Sequence, residues 1–324
     1  IHRAFEPDGG LRWFLAAAAA AGFAMLAKGA IGILLPGGAL FFYAWSTRQL
    51  GRLFRPGWFL PALVVGLGIG ASWYLMLGLR EGFGFMQDLF WEHHVERFLK
   101  PAHSHHKGPF FTYLIVLFVG FQPWSFLLVP SLRRSAWPEP GAGSRLLRLF
   151  GIFSVLTLVF FSIAATKLPN YVTPIYPFLA LMVAVGLERV VPETPSTGAW
   201  RWAGRLTVGG TFFVAAVCFA LPFVLPHLPD QVDPKAFKEA PGLAYPLDLG
   251  WSILALGSLF ALAGAFFVVR GYAARPRELV GPLAGLTLLD LTLVVLGVVP
   301  RVDAHFYQPL QRVAQRAATL GPLE

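Results

Sequence analysis

The feature that most limits how this chain folds is a recurrence of apolar stretches, each close to twenty residues, separated by short polar breaks. Lipid offers no hydrogen-bond partner to a bare backbone. A segment crossing the roughly 30 Å hydrocarbon layer is therefore helical and needs about 20 apolar residues. Nine spans are predicted, at Leu11–Ala27, Ala30–Trp45, Gly57–Leu79, Pro109–Leu132, Leu146–Ala165, Tyr171–Leu187, Trp202–Pro226, Gly250–Val269 and Leu279–Val299. Composition points the same way: 56% of the 324 residues are hydrophobic and only 13% charged, against about a quarter charged in a soluble domain. The expected fold is an all-α polytopic integral membrane protein. Residues 1–300 would form a transmembrane helix bundle with outer-face loops at 80–108, 165–170 and 227–248, and 301–324 would start an extracytoplasmic C-terminal segment.

The first two spans meet at Lys28-Gly29, either as a hairpin or as one broken helix. A fused helix would hold Lys28 inside the membrane at a desolvation penalty of several kcal/mol, so the hairpin is expected. Charge then sets the orientation, because cytoplasmic loops are rich in Lys and Arg. With the first span starting inside, the inner loops hold Arg48, Arg52 and Arg55, then Arg133, Arg134, Arg145 and Arg148, then Arg189, Arg201 and Arg205, then Arg270, Arg275 and Arg277. Every lysine and most acids fall outside. The net charge of +9 is explained by this topology rather than by nucleic-acid binding, since the cations sit in short loops and not on one soluble face. The lone cysteine, Cys218, lies in a span and allows neither a disulfide framework nor a cysteine metal site. The sequence starts at Ile1 rather than Met with no cleavable leader pattern, so an upstream portion is expected.

Three outer breaks carry candidate chemistry. Five of the eight histidines fall in one loop, His93 and His94 within Phe90-Trp91-Glu92-His93-His94-Val95-Glu96-Arg97-Phe98 and His103, His105 and His106 shortly after. On a helix, Arg97 shares a face with His93 or His94, and Glu92 lies one turn from Glu96. Such a face offers ligands for a divalent metal and a guanidinium that binds phosphate through two hydrogen bonds. It equally describes an interfacial amphipathic helix with aromatics at headgroup level. Lys28 at the outer end of its span is either a phosphate-binding point charge or a snorkelling lysine. In Ala165-Thr166-Lys167-Leu168-Pro169-Asn170-Tyr171 two spans are joined by hardly any loop. Pro169 forces the residue before it out of helical geometry and holds Lys167 and Tyr171 at the surface, for function or simply as interfacial anchors. Asp290 is the one carboxylate well inside a span and is expected to be a packing acid bonded to a neighbouring helix.

Taken together and in order, Leu26-Ala27-Lys28-Gly29, the Phe90–Phe98 segment and Thr166-Lys167-Leu168-Pro169-Asn170-Tyr171 resemble the bacterial aminoarabinose transferase and protein O-mannosyltransferase-like glycosyltransferases. Gly120-Phe121-Gln122-Pro123-Trp124-Ser125 is similar to the Pro-Trp that follows the His-Arg loop in those proteins. The resemblance covers roughly Arg12–Pro192, and the later helices only in general character. It implies a GT-C type bundle in the bacterial inner membrane, with an extracytoplasmic active face. Such an enzyme takes a sugar from a polyprenyl-phosphate carrier and passes it to a lipid A-like lipid, a glycan or a protein. By resemblance Lys28, Arg97 and Lys167 would hold the carrier's phosphate, with Tyr171 closing the same substrate cavity, and His94, alone or with Glu92, would match the family's outer-loop position for a divalent metal ion or for phosphate. The partners implied are the lipid-linked donor, the acceptor and membrane lipids, with no nucleic acid.

One departure bears on activity. The family's catalytic carboxylate lies in the first large outer loop, expected here upstream of Ile1, so the general base and turnover are not expected from these residues alone. The rival reading from another class is a transporter or flippase, hinted at by Asp290 and by Gly66-Leu67-Gly68-Ile69-Gly70 as a broken helix near the midplane. A catalytically silent scaffold is the third.

Overall fold

In the computed structural model, residues 10–91, 96–99, 108–133, 142–188, 198–227, 248–272 and 278–306 are described. They are helical with no strand among them, and the chain divides into two compact units.

The first unit comprises Ile1–Phe121 and Leu132–Val185. Helix α1 (Leu11–Lys28) ends at Gly29, whose φ of 67° lies in the left-handed region that glycine tolerates, and α2 (Ile31–Ser46) begins two residues later. The chain reverses there, as the hairpin requires: Gly32 sits so close to the Ala24 backbone that no side chain fits between them. Helix α3 (Pro56–Glu81) packs along α1 through small residues, a Cβ on Gly22 falling 2.7 Å from the Gly66 carbonyl and one on Gly66 falling 3.2 Å from the Ala18 carbonyl. In lipid, where apolar surface gains little by leaving the solvent, such close backbone contact is what holds helices together. The helix runs unbroken through Gly66–Gly70, with Gly66 and Gly70 buried. The glycine run is therefore a packing surface, and the broken-helix hint for a transporter disappears.

A second reversal at Gly82 (φ 99°) leads to the short α4 (Phe83–Phe90), with Phe83, Phe85 and Trp91 exposed beside it, and a single helical turn follows at Arg97–Leu99. Helix α5 (Thr112–Gly120) closes the long loop. Helix α7 (Ala142–Ile163) packs on α2, then a 3-10 stretch at Pro169–Ile175 feeds α8 (Tyr176–Glu188). At the end of this unit that the charge pattern places inside, Phe14, Tyr43, Ala44, Leu53 and Leu149 form a buried cluster with Arg52 and Arg55 over the Trp58 ring.

The second unit comprises Gln122–Ser131 and Gly186–Glu324. It contains α6 (Ser125–Ser131), α9 (Gly198–Val224), α10 (Gly250–Val269) and α11 (Val280–Leu293), continued through a π-helical stretch at Val294–Val298 into α12 (Val299–Phe306). Helices α9 and α10 meet at Gly257 and Gly264, against Cys218 and Thr211. Trp124 of the Pro-Trp motif donates its indole N–H to Thr287 Oγ1 at 3.0 Å, tying the start of α6 to α11.

Among the described residues seven helices are long and apolar enough to cross a membrane, fewer than the nine spans expected. Of the other two expected spans, one is too short and the other is a bent helix pair that makes an eighth if it is one broken span. Helix α2 has 16 residues, about 24 Å at 1.5 Å per residue and less than the hydrocarbon thickness. The stretch Pro109–Leu132 is not one helix but the pair α5 and α6, interrupted at Phe121–Trp124, where Pro123 has no N–H to continue a ladder. Between 11% and 39% of the most apolar part of each long helix is buried inside the protein. The remaining apolar surface faces outward, which is stable only against lipid.

Candidate functional site

The end of α7 explains how one corner of the first unit is built. The last carbonyls of any helix have no partner within it. Here Lys167 turns back, and its ammonium donates to the carbonyls of Phe161 (3.0 Å), Ser162 (2.5 Å) and Ala164 (2.7 Å). The side chain is 9% exposed, and burial lowers its pKa from the ordinary lysine value, while three carbonyl dipoles favour the charged form. The next turn is held from both sides. Ala165 N donates to Phe98 O at 2.8 Å and Leu168 N donates to the Tyr113 hydroxyl at 3.1 Å.

Aromatic rings fill the corner. Phe161 lies 4.7 Å from Tyr171 and 6.3 Å from Tyr113, centroid to centroid, and Phe98 lies 5.1 Å from Phe160. Each tyrosine carries a cation: Lys28 Nζ stands 5.4 Å from the centre of the Tyr171 ring and Lys167 Nζ 5.7 Å from that of Tyr113. A cation over an aromatic ring is by itself unremarkable in this molecule, since Arg12 over Trp13, Arg205 over Trp202 and Arg270 over Tyr272 are local pairs of the interfacial kind. What distinguishes this corner is that stretches distant in sequence converge on it: the end of α1, the turn after Arg97, the start of α5 and the α7–α8 connection.

Of the residues singled out from sequence, the structure brings Lys28, Lys167 and Tyr171 together and places the backbone of Arg97 beside them, since the neighbouring Phe98 carbonyl is bonded to Ala165. Their states differ. Lys28 is exposed, while all three donors of the Lys167 ammonium face carbonyls. Glu92 and His94 lie outside the described residues, as does the loop 228–247. Among the described residues no three His, Cys, Asp or Glu side chains come together as a metal site. Asp290 is half-buried on α11, and no side-chain hydrogen bond joins it to a neighbouring helix among the described residues. Tyr113 and Phe161 were not distinguishable in the sequence. A tyrosine in the first turn of a span looks like any interfacial anchor, and a phenylalanine within one looks like any packing residue.

The unit also holds an apolar cavity of about 180 Å³ between α1, α2 and α3, lined by residues such as Phe14, Ala18, Pro36, Leu40 and Leu63. It does not contain the lysines. Its uppermost contact on α1, Ala21, is seven residues before Lys28, about 10 Å along the helix axis.

Known proteins match this chain along most of its length. The undecaprenyl phosphate-alpha-4-amino-4-deoxy-L-arabinose arabinosyl transferase of Pectobacterium carotovorum subsp. carotovorum is 31% identical over 214 residues, 64% of this chain and 37% of that protein. That of Pseudomonas fluorescens is 28% identical over 270 residues, 81% of this chain and 45% of that protein. The crystal structure of ArnT from Cupriavidus metallidurans bound to undecaprenyl phosphate superposes with a TM-score of 0.62 at 26% identity, covering 93% of this chain and 52% of that one. Over these stretches the chain is similar to the aminoarabinose transferases. No family model matches it, and it spans between a third and about half the length of these relatives.

Proposed function

We propose that this chain carries the carrier-phosphate site of a membrane glycosyltransferase, which moves a sugar from a polyprenyl phosphate to an acceptor outside the cytoplasm of a bacterial inner membrane. The observation that carries the reading is the exposed Lys28 ammonium facing Tyr171 in a corner assembled from four separate stretches of chain. The acceptor oxygen attacks the anomeric carbon with inversion while the carbon–oxygen bond to the carrier phosphate breaks. Negative charge then grows on the departing phosphate oxygens. Cations fixed where that charge appears, with water partly excluded by aromatic walls, stabilise the transition state more than the ground state. Lys28 and Arg97 meet the phosphate, Tyr171 forms the wall beneath Lys28, and Lys167 adds positive charge from behind the turn. The apolar cavity along α1, which begins about 10 Å from Lys28 along the helix axis, suits a later part of an isoprenoid tail.

The donor chemistry of the relatives favours an aminopentose on undecaprenyl phosphate as substrate and a lipid A-like lipid as acceptor, with glycan and protein acceptors next. Glu92 and His94 are proposed as ligands of a divalent metal ion. The general base is not assigned to any residue of this chain. The test uses the full reading frame in proteoliposomes, with undecaprenyl-phosphate aminoarabinose and lipid A, and reads the acceptor's mass. A gain of one aminopentose per acceptor supports the proposal. Absence of both transfer and carrier binding overturns it.

A further inference from the structure

In sequence Lys28 and Lys167 look alike as charges beside one anion, but hydrogen bonding separates them. An ammonium has three N–H donors, and those of Lys167 point at Phe161 O, Ser162 O and Ala164 O. A phosphate oxygen could bond Lys167 only by displacing a carbonyl from a nearly closed site. The carbonyls at stake are not incidental, because they end the helix from which the Phe161 ring projects. That ring packs 4.7 Å from Tyr171, the residue whose face Lys28 covers at 5.4 Å. Around the lysine stem the space is already filled: the Tyr113 ring lies at 5.7 Å from Nζ, and a Cβ on Gly108 would come within 3.3 Å of Lys167 Cγ.

We propose that Lys167 is a positioning residue, whose ammonium caps the end of α7 and so holds the Phe161 ring and the Thr166–Tyr171 turn in the place that sets Tyr171 beneath Lys28. Its effect on the carrier phosphate, on the function proposed above, passes through Tyr171 and Lys28. Replacing it loosens the turn first and weakens phosphate binding as a result. A direct phosphate ligand would behave in the opposite order, losing affinity while the turn stays closed.

The experiment compares Lys167→Met, Lys167→Arg, Tyr113→Phe and Lys28→Ala in the full reading frame in nanodiscs, by amide hydrogen exchange without ligand and by undecaprenyl-phosphate binding. Lys167→Met is expected to speed exchange at Ala165 and Leu168 by about tenfold or more, since charge-assisted bonds to a helix end are being removed, and to weaken carrier binding. Lys167→Arg is expected not to restore the slow exchange, because a planar fork cannot aim three donors at three converging carbonyls. Tyr113→Phe, which removes only the acceptor of Leu168 N–H, speeds exchange at Leu168 alone and guards against misfolding of the lysine variants. Lys28→Ala leaves exchange at the turn unchanged. Unchanged exchange at Ala165 and Leu168 in Lys167→Met, or normal carrier affinity in Lys167→Arg together with lost affinity in Lys167→Met, overturns the positioning role. If the wild-type protein binds no carrier, the functional reading fails while the exchange comparison still decides the cap.

Discussion

Lys28→Ala is the most informative single change for the proposed function, because Lys28 is exposed and its removal leaves no buried partner behind. Its ammonium touches one ring face, at 5.4 Å from the Tyr171 centroid, so the protein alone loses little. A phosphate docked against it adds a charge-assisted hydrogen bond. Such a bond is worth about 1.5–3 kcal/mol when the site is partly covered, and an open ion pair about 0.2–1 kcal/mol. Tyr171 and the rings behind it shelter the ammonium on one side, and the carrier's own headgroup would cover part of the other. The upper range therefore applies, and affinity for undecaprenyl phosphate should fall roughly 10- to 150-fold. Lys28→Arg, which keeps the charge, should stay within about tenfold of wild type. The assay is carrier binding to protein in nanodiscs at two ionic strengths, with a neutral polyprenol as control. The alanine variant should lose phosphate affinity and keep polyprenol affinity. Equal losses for both ligands, or a loss under twofold for the phosphate, would refute the reasoning.

Tyr171→Phe keeps the ring beneath Lys28 and should bind carrier nearly as wild type, whereas Tyr171→Leu removes a cation–π contact worth about 0.5–2 kcal/mol and should bind it more weakly in the same assay. Gly66→Leu forces α1 and α3 apart at the Ala18 carbonyl and should destabilise the protein by about 1–3 kcal/mol. Gly68→Leu, with nothing within 4 Å, should leave the melting temperature in detergent nearly unchanged. Equal effects from the two would mean that the glycine run is not a helix-packing surface. Thr287→Val removes the acceptor of the Trp124 indole N–H and should lower stability by about 1 kcal/mol, read by chemical denaturation, while Ser258→Ala, an exposed hydroxyl on α10, should not.

The helices were legible because the bilayer leaves a chain so few choices: an apolar stretch near twenty residues long has to be helical, and eight of the nine expected segments are helical along nearly their whole length while the ninth is a pair of helices. Legibility failed where a count depends on geometry rather than on hydrophobicity. The text of Pro109–Leu132 reads as a continuous apolar run, and only the interruption around Pro123 turns it into two short helices. The hairpin at Lys28-Gly29 was readable from the price of immersing a lysine and from the glycine after it. The candidate corner was half readable. Surface position gave Lys28, Lys167 and Tyr171, since lysines and tyrosines stand out against apolar spans. It gave nothing about direction: a lysine four residues past a helix end reaches outward to a ligand or back to the open carbonyls, and the sequence is the same for both. Tyr113 and Phe161 fell into the background because their roles depend on which residues lie across from them. The glycines of α3 misled in the same way, since glycine marks a break and a close contact alike.

The central claim is that the carrier phosphate sits at the corner formed by Lys28 and the Thr166–Tyr171 turn. The most direct measurement is photo-crosslinking of the full reading frame with an undecaprenyl-phosphate analogue bearing a diazirine on its first isoprene unit, with the labelled peptides mapped by mass spectrometry. Labels on the second half of α1 and on residues 166–171, competed by natural undecaprenyl phosphate and lost in Lys28→Ala, are the predicted result. Competed labels concentrated instead at the opposite end of the first unit, around Arg52, Arg55 and Trp58, would contradict the account.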